Sequence, residues 1–279
     1  MIYLILAIIC GTSLALAFSV ADKLKLDSMN ITLVNYIAAC IVCAFNLSRE
    51  INSGAFSFGN LGAYTVPLSV IAGAAALAGF STIQKSVVAN GPSATAMFSK
   101  LAMVVPVLVS IVFLKEYAGP LRWIGIILAI VSLVMFNWEG GFKINLLLLL
   151  VWVSGGCAEC CSNLFARFCD PADNTFYLTL LFGVASVLTA IVIAKSKGPK
   201  FTGKEIAYGA VLGCLNIGNI GFMVESFQHL PTTIVSPVIC VSVILITALC
   251  GKAFFGDKFS RRQTAALCLT VTALVILNL

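Results

Sequence analysis

Ten long apolar stretches run through this chain in two sets of five, and the second set repeats the first at an offset of about 141 residues. Ser13 is matched by Ser154, Glu116 by Asp257 and Asn137 by Asn278. Five is odd, so a five-helix unit duplicated in tandem inserts its second copy upside down. That arrangement is the inverted repeat of many secondary carriers, in which the binding site lies between the halves near mid-membrane. The expected architecture is an all-α membrane protein of ten transmembrane helices, with residues 1–140 as the first five-helix repeat and 141–279 as the second.

With 60% hydrophobic and only 10% charged residues, the chain cannot cover a soluble globule of 279 residues. Lipid is the solvent such a chain requires. A bilayer core takes about 20 mostly apolar residues per helix. The candidate spans are 2–21, 30–47, 64–86, 92–114, 119–137, 144–168, 175–194, 205–228, 231–255 and 261–278. Helices are expected throughout, because hydrocarbon offers no partner to an unpaired backbone group and the alternation is too weak for a barrel. The first span lacks a basic start and a cleavage signal, so it is expected to remain as a helix.

The formal charge of +6 is no sign of nucleic-acid binding, since the basic residues sit in loops. Lys23, Lys25, Lys143, Lys195, Lys197, Lys200, Lys204, Lys252, Lys258, Arg261 and Arg262 share one face. Arg49, Lys115, Arg122 and Arg167 occupy the other. Positive loops stay cytoplasmic, which puts both termini of this multi-pass cell-membrane protein on the non-cytoplasmic side.

Cys40-x-x-Cys43 and Cys157-x-x-Cys160-Cys161 have a spacing that suggests metal. They lie inside apolar spans beside Gly, Ala and Ser, however, where small side chains let helices approach closely. No metal site or cofactor is expected. The single histidine, His229, falls at a helix end beside Pro231 and reads as an interfacial residue.

Glu159 is the sharpest candidate. A carboxylate in mid-span costs roughly 2.5–3.5 kcal/mol on insertion scales and therefore faces a cavity or a partner. Trp152, Gly156, Glu159 and Asn163 follow at spacings that stack them on one helical face. The position matching Glu159 in the first half is Phe18, so one site holds one titratable acid. Lys100 is a second intramembrane charge. Counting rise per residue from the same face puts Lys100 at a depth of about 12 Å and Glu159 at about 22 Å. The two Cα levels thus differ by roughly 10 Å, within reach of two long side chains closing on a small dipolar molecule. Asn216 and Asn219, with Gly213, Gly218 and Gly221 around them, are second-rank candidates. Tyr36, Phe18, Phe80, Phe98 and Trp152 could supply aromatic walls. Gln84, Lys85, Glu225 and Gln228 end their spans and read as interfacial.

Each half ends in a Pro-containing fourth helix, a short acidic turn (Phe113-Leu114-Lys115-Glu116; Phe254-Phe255-Gly256-Asp257) and a final helix rich in small residues. In this the whole chain resembles the drug/metabolite transporter superfamily, EamA-like branch. Ala158-Glu159 followed by Arg167-Phe168 is also similar to the first helix of the small multidrug resistance transporters. That second likeness implies a membrane glutamate that binds protons and cationic substrates in competition. It extends to Glu159 only, because the first half has Ala17-Phe18 there.

The expectation is a carrier of a small polar metabolite, amino-acid-like or zwitterionic, proton-coupled or exchanging, and working by alternating access. Glu159 would take the proton or a substrate ammonium, and Lys100 an acid group. The alternative is a proton-coupled exporter of organic cations or drugs, with Glu159 and Trp152 gripping the cation. An intramembrane enzyme lacks any catalytic motif to support it, and a channel fits the repeat and the single acid less well. The expected partners are the substrate, the lipid bilayer and protons, in a monomer or homodimer.

Overall fold

The computed structural model describes residues 1–90, 92–137, 146–195, 201–255 and 260–277, and among them every regular element is helical. The α-helices are α1 (Ile2–Lys23), α2 (Ser28–Ser53), α3 (Thr65–Asn90), α4 (Pro92–Leu101), α5 (Val104–Val112), α6 (Pro120–Asn137), α7 (Leu146–Phe168), α8 (Asn174–Lys195), α9 (Gly203–His229), α10 (Thr232–Phe255) and α11 (Arg261–Leu277). Among the described residues, six segments are long and apolar enough to cross a membrane: Ser28–Ser53, Thr65–Asn90, Leu146–Phe168, Pro171–Lys195, Gly203–His229 and Thr232–Cys250. Shorter apolar helices run over Ile2–Phe18, Phe98–Val112 and Pro120–Ser132. Asp257, Asn278, Lys143, Lys197, Lys200 and Lys258 lie outside the described residues, as do the side chains of Lys23 and Lys252.

The fourth expected span, 92–114, is two helices rather than one, and Pro106 supplies the reason. Proline has no N–H for the carbonyl four residues back, and its ring crowds that carbonyl. The Val105 N–H accordingly donates to the Ala102 carbonyl at 3.0 Å, three residues back. The helix stops at Leu101 and restarts at Val104.

The chain forms two compact units, each drawing on both halves of the sequence. One comprises Met1–Leu77 with Cys161–Gln228, and its most extensive helix pairing is α2 with α8. Close packing in this unit uses glycine where the sequence has it. A Cβ on Gly209 would stand 2.6 Å from Val34 Cβ, and one on Gly213 would stand 2.7 Å from the Asn35 carbonyl oxygen. Cysteines serve the same end: Cys10 packs against Gly218 and Cys40 against Gly183.

Two buried carboxylates tie helix starts together in this first unit. Asp27 caps α2 by accepting from Met29 N at 2.9 Å and Asn30 N at 3.0 Å. Glu205, 5% exposed, then accepts from the Asp27 N–H at 3.0 Å, Asn30 Nδ2 at 3.2 Å and the Thr202 N–H at 2.9 Å. The Glu205 N–H in turn donates to Thr202 Oγ1 at 3.3 Å, which closes a capping box at the start of α9. The second carboxylate is Asp173, 3% exposed, which accepts from the Gly62 N–H and the Thr65 hydroxyl, each at 2.9 Å, where α3 begins beside α8.

The other unit comprises Ala78–Cys160 with His229–Leu279, and its dominant pairing is α6 with α11. Met103, Ala129, Val241 and Ala273 form a buried cluster that joins the helix break to α6, α10 and α11. Glu116, in the turn before α6, accepts from the Thr232 N–H at 3.1 Å and the Thr233 N–H at 3.2 Å and so caps α10.

Glu205→Ala should lower stability by about 2 kcal/mol or more, because three donors at two helix starts lose a charged acceptor. Glu205→Gln, which keeps one acceptor oxygen, should lose less. Thermal unfolding of the purified protein in detergent checks the order; equal midpoints for wild type and Glu205→Ala would remove Glu205 from this role.

Candidate functional site

Around the helix break the second unit gathers the two intramembrane charges. Lys100 is the penultimate residue of α4, and Leu101, its last, is left with a carbonyl that the Val105 N–H no longer reaches. In hydrocarbon such a carbonyl needs another donor. Trp152 provides it from α7, with Nε1 donating to the Leu101 oxygen at 3.0 Å. The Lys100 carbonyl accepts from the Met103 N–H at 3.4 Å and from the Cys240 thiol of α10, also at 3.4 Å.

The helix α7 lies close enough for this because its facing residues are small. A Cβ on Gly156 would stand 2.5 Å from Val105 Cβ, and one on Gly155 3.0 Å from Ala102 Cβ. One turn beyond Gly156 is Glu159, half-buried, which interacts electrostatically with Lys100 and with the Ser236 hydroxyl. Cys240, one turn past Ser236, interacts with both Lys100 and Glu159. Lys100, Trp152, Glu159, Ser236 and Cys240 therefore form one cluster of two opposite charges, an indole, a hydroxyl and a thiol. Phe98 stands behind it, packed with Leu148 and Val151, and Trp152 leans on that core.

The remaining sequence candidates separate by unit. Phe80 is half-buried on the α3 segment of the second unit. Phe18, Tyr36, Asn163, Asn216 and Asn219 belong to the first. Phe18 packs against the buried cluster of Ala21, Ile31 and Leu212. The Tyr36 ring, 7% exposed, lies 6.3 Å from that of Phe182. Asn163 is fully buried and Asn219 half-buried. Asn216 Nδ2 donates to Asn35 Oδ1 at 3.2 Å, which makes it part of the α2–α9 contact that Gly209 and Gly213 also form. Of the span-end residues, Glu225 accepts from Asn174 Nδ2 at 3.1 Å. Sequence reasoning passed over Ser236, Cys240 and Glu205. Thr202-Gly203-Lys204-Glu205 carried a readable capping-box pattern; Ser236 and Cys240 carried no signal of their own.

Residues 142–279 match the EamA-like transporter family. That match takes in α7 to α11. An uncharacterized protein of Haemophilus influenzae is 22% identical over 283 residues, covering 98% of this chain and 96% of its own. A protein solved by crystallography has the same fold, with a TM-score of 0.73 and 15% identity over 99% of this chain and 94% of that one. The EamA-like family is a transporter family, and with the apolar helices above it makes this chain a multi-pass membrane protein.

The charged cluster depends on the α7–α5 approach. Gly156→Ala should destabilise the protein by roughly 1–3 kcal/mol through overpacking on Val105, and Val105→Ala in the same chain should recover most of the loss. The check is a double-mutant cycle on thermal unfolding in detergent; additive effects would mean that the two residues do not meet.

Proposed function

We propose that this protein is a secondary carrier of a small polar, amino-acid-like or zwitterionic metabolite, proton-coupled or exchanging, and that it works by alternating access. The observation that carries the reading is that Lys100 and Glu159 lie within electrostatic range of each other beside a broken membrane helix. Charges in a bilayer core are costly and mark substrate or ion pathways. Broken helices at membrane depth commonly line binding sites. A site holding one cation and one anion matches a ligand carrying one of each. A lone organic cation would meet repulsion from Lys100, which speaks against the drug-export alternative.

Ten crossings in two inverted repeats, 1–140 and 141–279, fit the helix order. Counted from α1 and from α7, with α4 and α5 taken as one crossing, α2 and α8 are second helices and α6 and α11 are fifth helices. These are also the most extensive pairings in their units. The two carboxylate ties correspond as well, each joining the third helix of one repeat to the second of the other. Lys100 comes from the first repeat, and Trp152 and Glu159 from the second, so the proposed site draws on both.

Two variants test the reading. Glu159→Gln should abolish pH-dependent uptake into proteoliposomes while the protein stays folded, and Lys100→Met should weaken binding of zwitterions by about 1.5–3 kcal/mol. A library of amino acids and related metabolites, screened by thermal stabilisation, supplies the ligand. Stabilisation that survives both substitutions unchanged would put the site elsewhere.

We also propose that both termini are non-cytoplasmic, from the basic loops. A cysteine in the 196–202 loop of a cysteine-free variant should resist an impermeant thiol reagent in intact cells, while one added after Leu279 should react. The reverse pattern would invert the topology.

A further inference from the structure

In the first unit, Ser28–Ser53 and Pro171–Lys195 are both long and apolar enough to cross a membrane, and α2 packs along α8. Between the last turns of α2 and the first turn of α8 lies a cavity of about 400 Å³, lined by Asn46, Arg49, Glu50, Ser53 and Thr175. Its place at two span ends puts it at the level of lipid headgroups. Exposed aromatic rings, which favour that level, stand at the same helix ends. Phe58 lies edge-on to Phe176 of α8, and Tyr64 lies edge-on to Phe168. Asn46, Arg49 and Ser53 follow one another at three and four residues, so α2 presents them on one face, with Glu50 beside Arg49. Thr175 Oγ1 donates to Glu50 Oε1 at 2.8 Å, which holds the carboxylate from α8 and leaves it lone pairs for a further donor. Ile37, Ile41 and Phe45, all exposed, lead along α2 to Arg49 at steps of four residues.

We propose that this cavity is a lipid site for a phospholipid headgroup that carries both a phosphate and a primary ammonium, as phosphatidylethanolamine does. Arg49 takes the phosphate through paired N–H donors, the recognition to which a guanidinium is suited. Glu50 takes the ammonium, with the Asn46 and Ser53 oxygens as further acceptors. The acyl chains follow the row of Ile37, Ile41 and Phe45. A headgroup with a phosphate and no amine would set a second negative charge beside Glu50 without matching it. A quaternary ammonium has no N–H to donate, and none of the five lining residues offers it an aromatic face. The cavity belongs to the first unit, whereas Lys100 and Glu159 belong to the second, so the lipid site requires no role for either charge.

The test is native mass spectrometry of the full-length protein released from detergent micelles that contain equal amounts of phosphatidylethanolamine, phosphatidylglycerol and phosphatidylcholine. Wild type should retain phosphatidylethanolamine over either of the others by roughly tenfold, the discrimination that one charge-assisted hydrogen bond provides. Arg49→Gln should cut retention of phosphatidylethanolamine about tenfold. Glu50→Gln should bring it down to the level of phosphatidylglycerol. Arg122→Gln, at the start of α6, should leave the pattern unchanged. O-phosphoethanolamine, the soluble ester with the same charged groups, should not displace the lipid even in large excess. Equal retention of the three lipids, or a preference that survives both substitutions in folded protein, overturns the site. Displacement by O-phosphoethanolamine overturns the lipid as its occupant. Where a charge variant fails to fold, wild type treated with a diazirine-bearing phosphatidylethanolamine decides: crosslinks within residues 37–53 support the site, and crosslinks found only elsewhere overturn it.

Discussion

A backbone carbonyl in hydrocarbon must find a donor, and at Leu101 the helix cannot provide one. Pro106 removes one N–H and redirects another, and the strand of intrahelical bonds parts over two residues. Trp152 and Cys240 then bring donors to the Leu101 and Lys100 carbonyls from α7 and α10. The break thus draws two other helices to it, and those helices carry Glu159 and Ser236. Satisfying the backbone and assembling the charged cluster are one event.

This coupling restricts what the neighbouring residues can be. An indole reaching Leu101 requires α7 to lie close to α5, and only glycine at position 156 leaves room for Val105. Close approach in turn lowers the local dielectric around Lys100 and Glu159, so each group feels the other more strongly than it would in water.

The helical class and the apolar segments were legible because they depend on periodicity and hydropathy, which survive without any knowledge of contacts. Pro106 was visible as well, but its effect was not: a proline inside a membrane helix is tolerated at Pro237, where α10 stays continuous, and not at 106. Which outcome follows depends on whether outside donors can take over the freed carbonyls, and those come from residues 51 and 140 positions away. Asn216 shows the same limit. Its sequence context of glycines suits a cavity wall or a tight contact equally, and only the partner, Asn35, 181 residues distant, distinguishes the two.

The carboxylates divide by the same physics. Glu205, Asp173 and Glu116 all lie at helix starts, where several N–H groups point outward and the dipole favours negative charge, and backbone donors hold each of them. A carboxylate so engaged has its lone pairs committed to the backbone. Glu159 sits in the body of α7, where every nearby backbone N–H already serves the helix, and its partners are side chains: Lys100, Ser236 and Cys240. Side chains can rotate away, and backbone donors cannot. Of these acids, Glu159 is therefore the one whose partners can change without unwinding a helix.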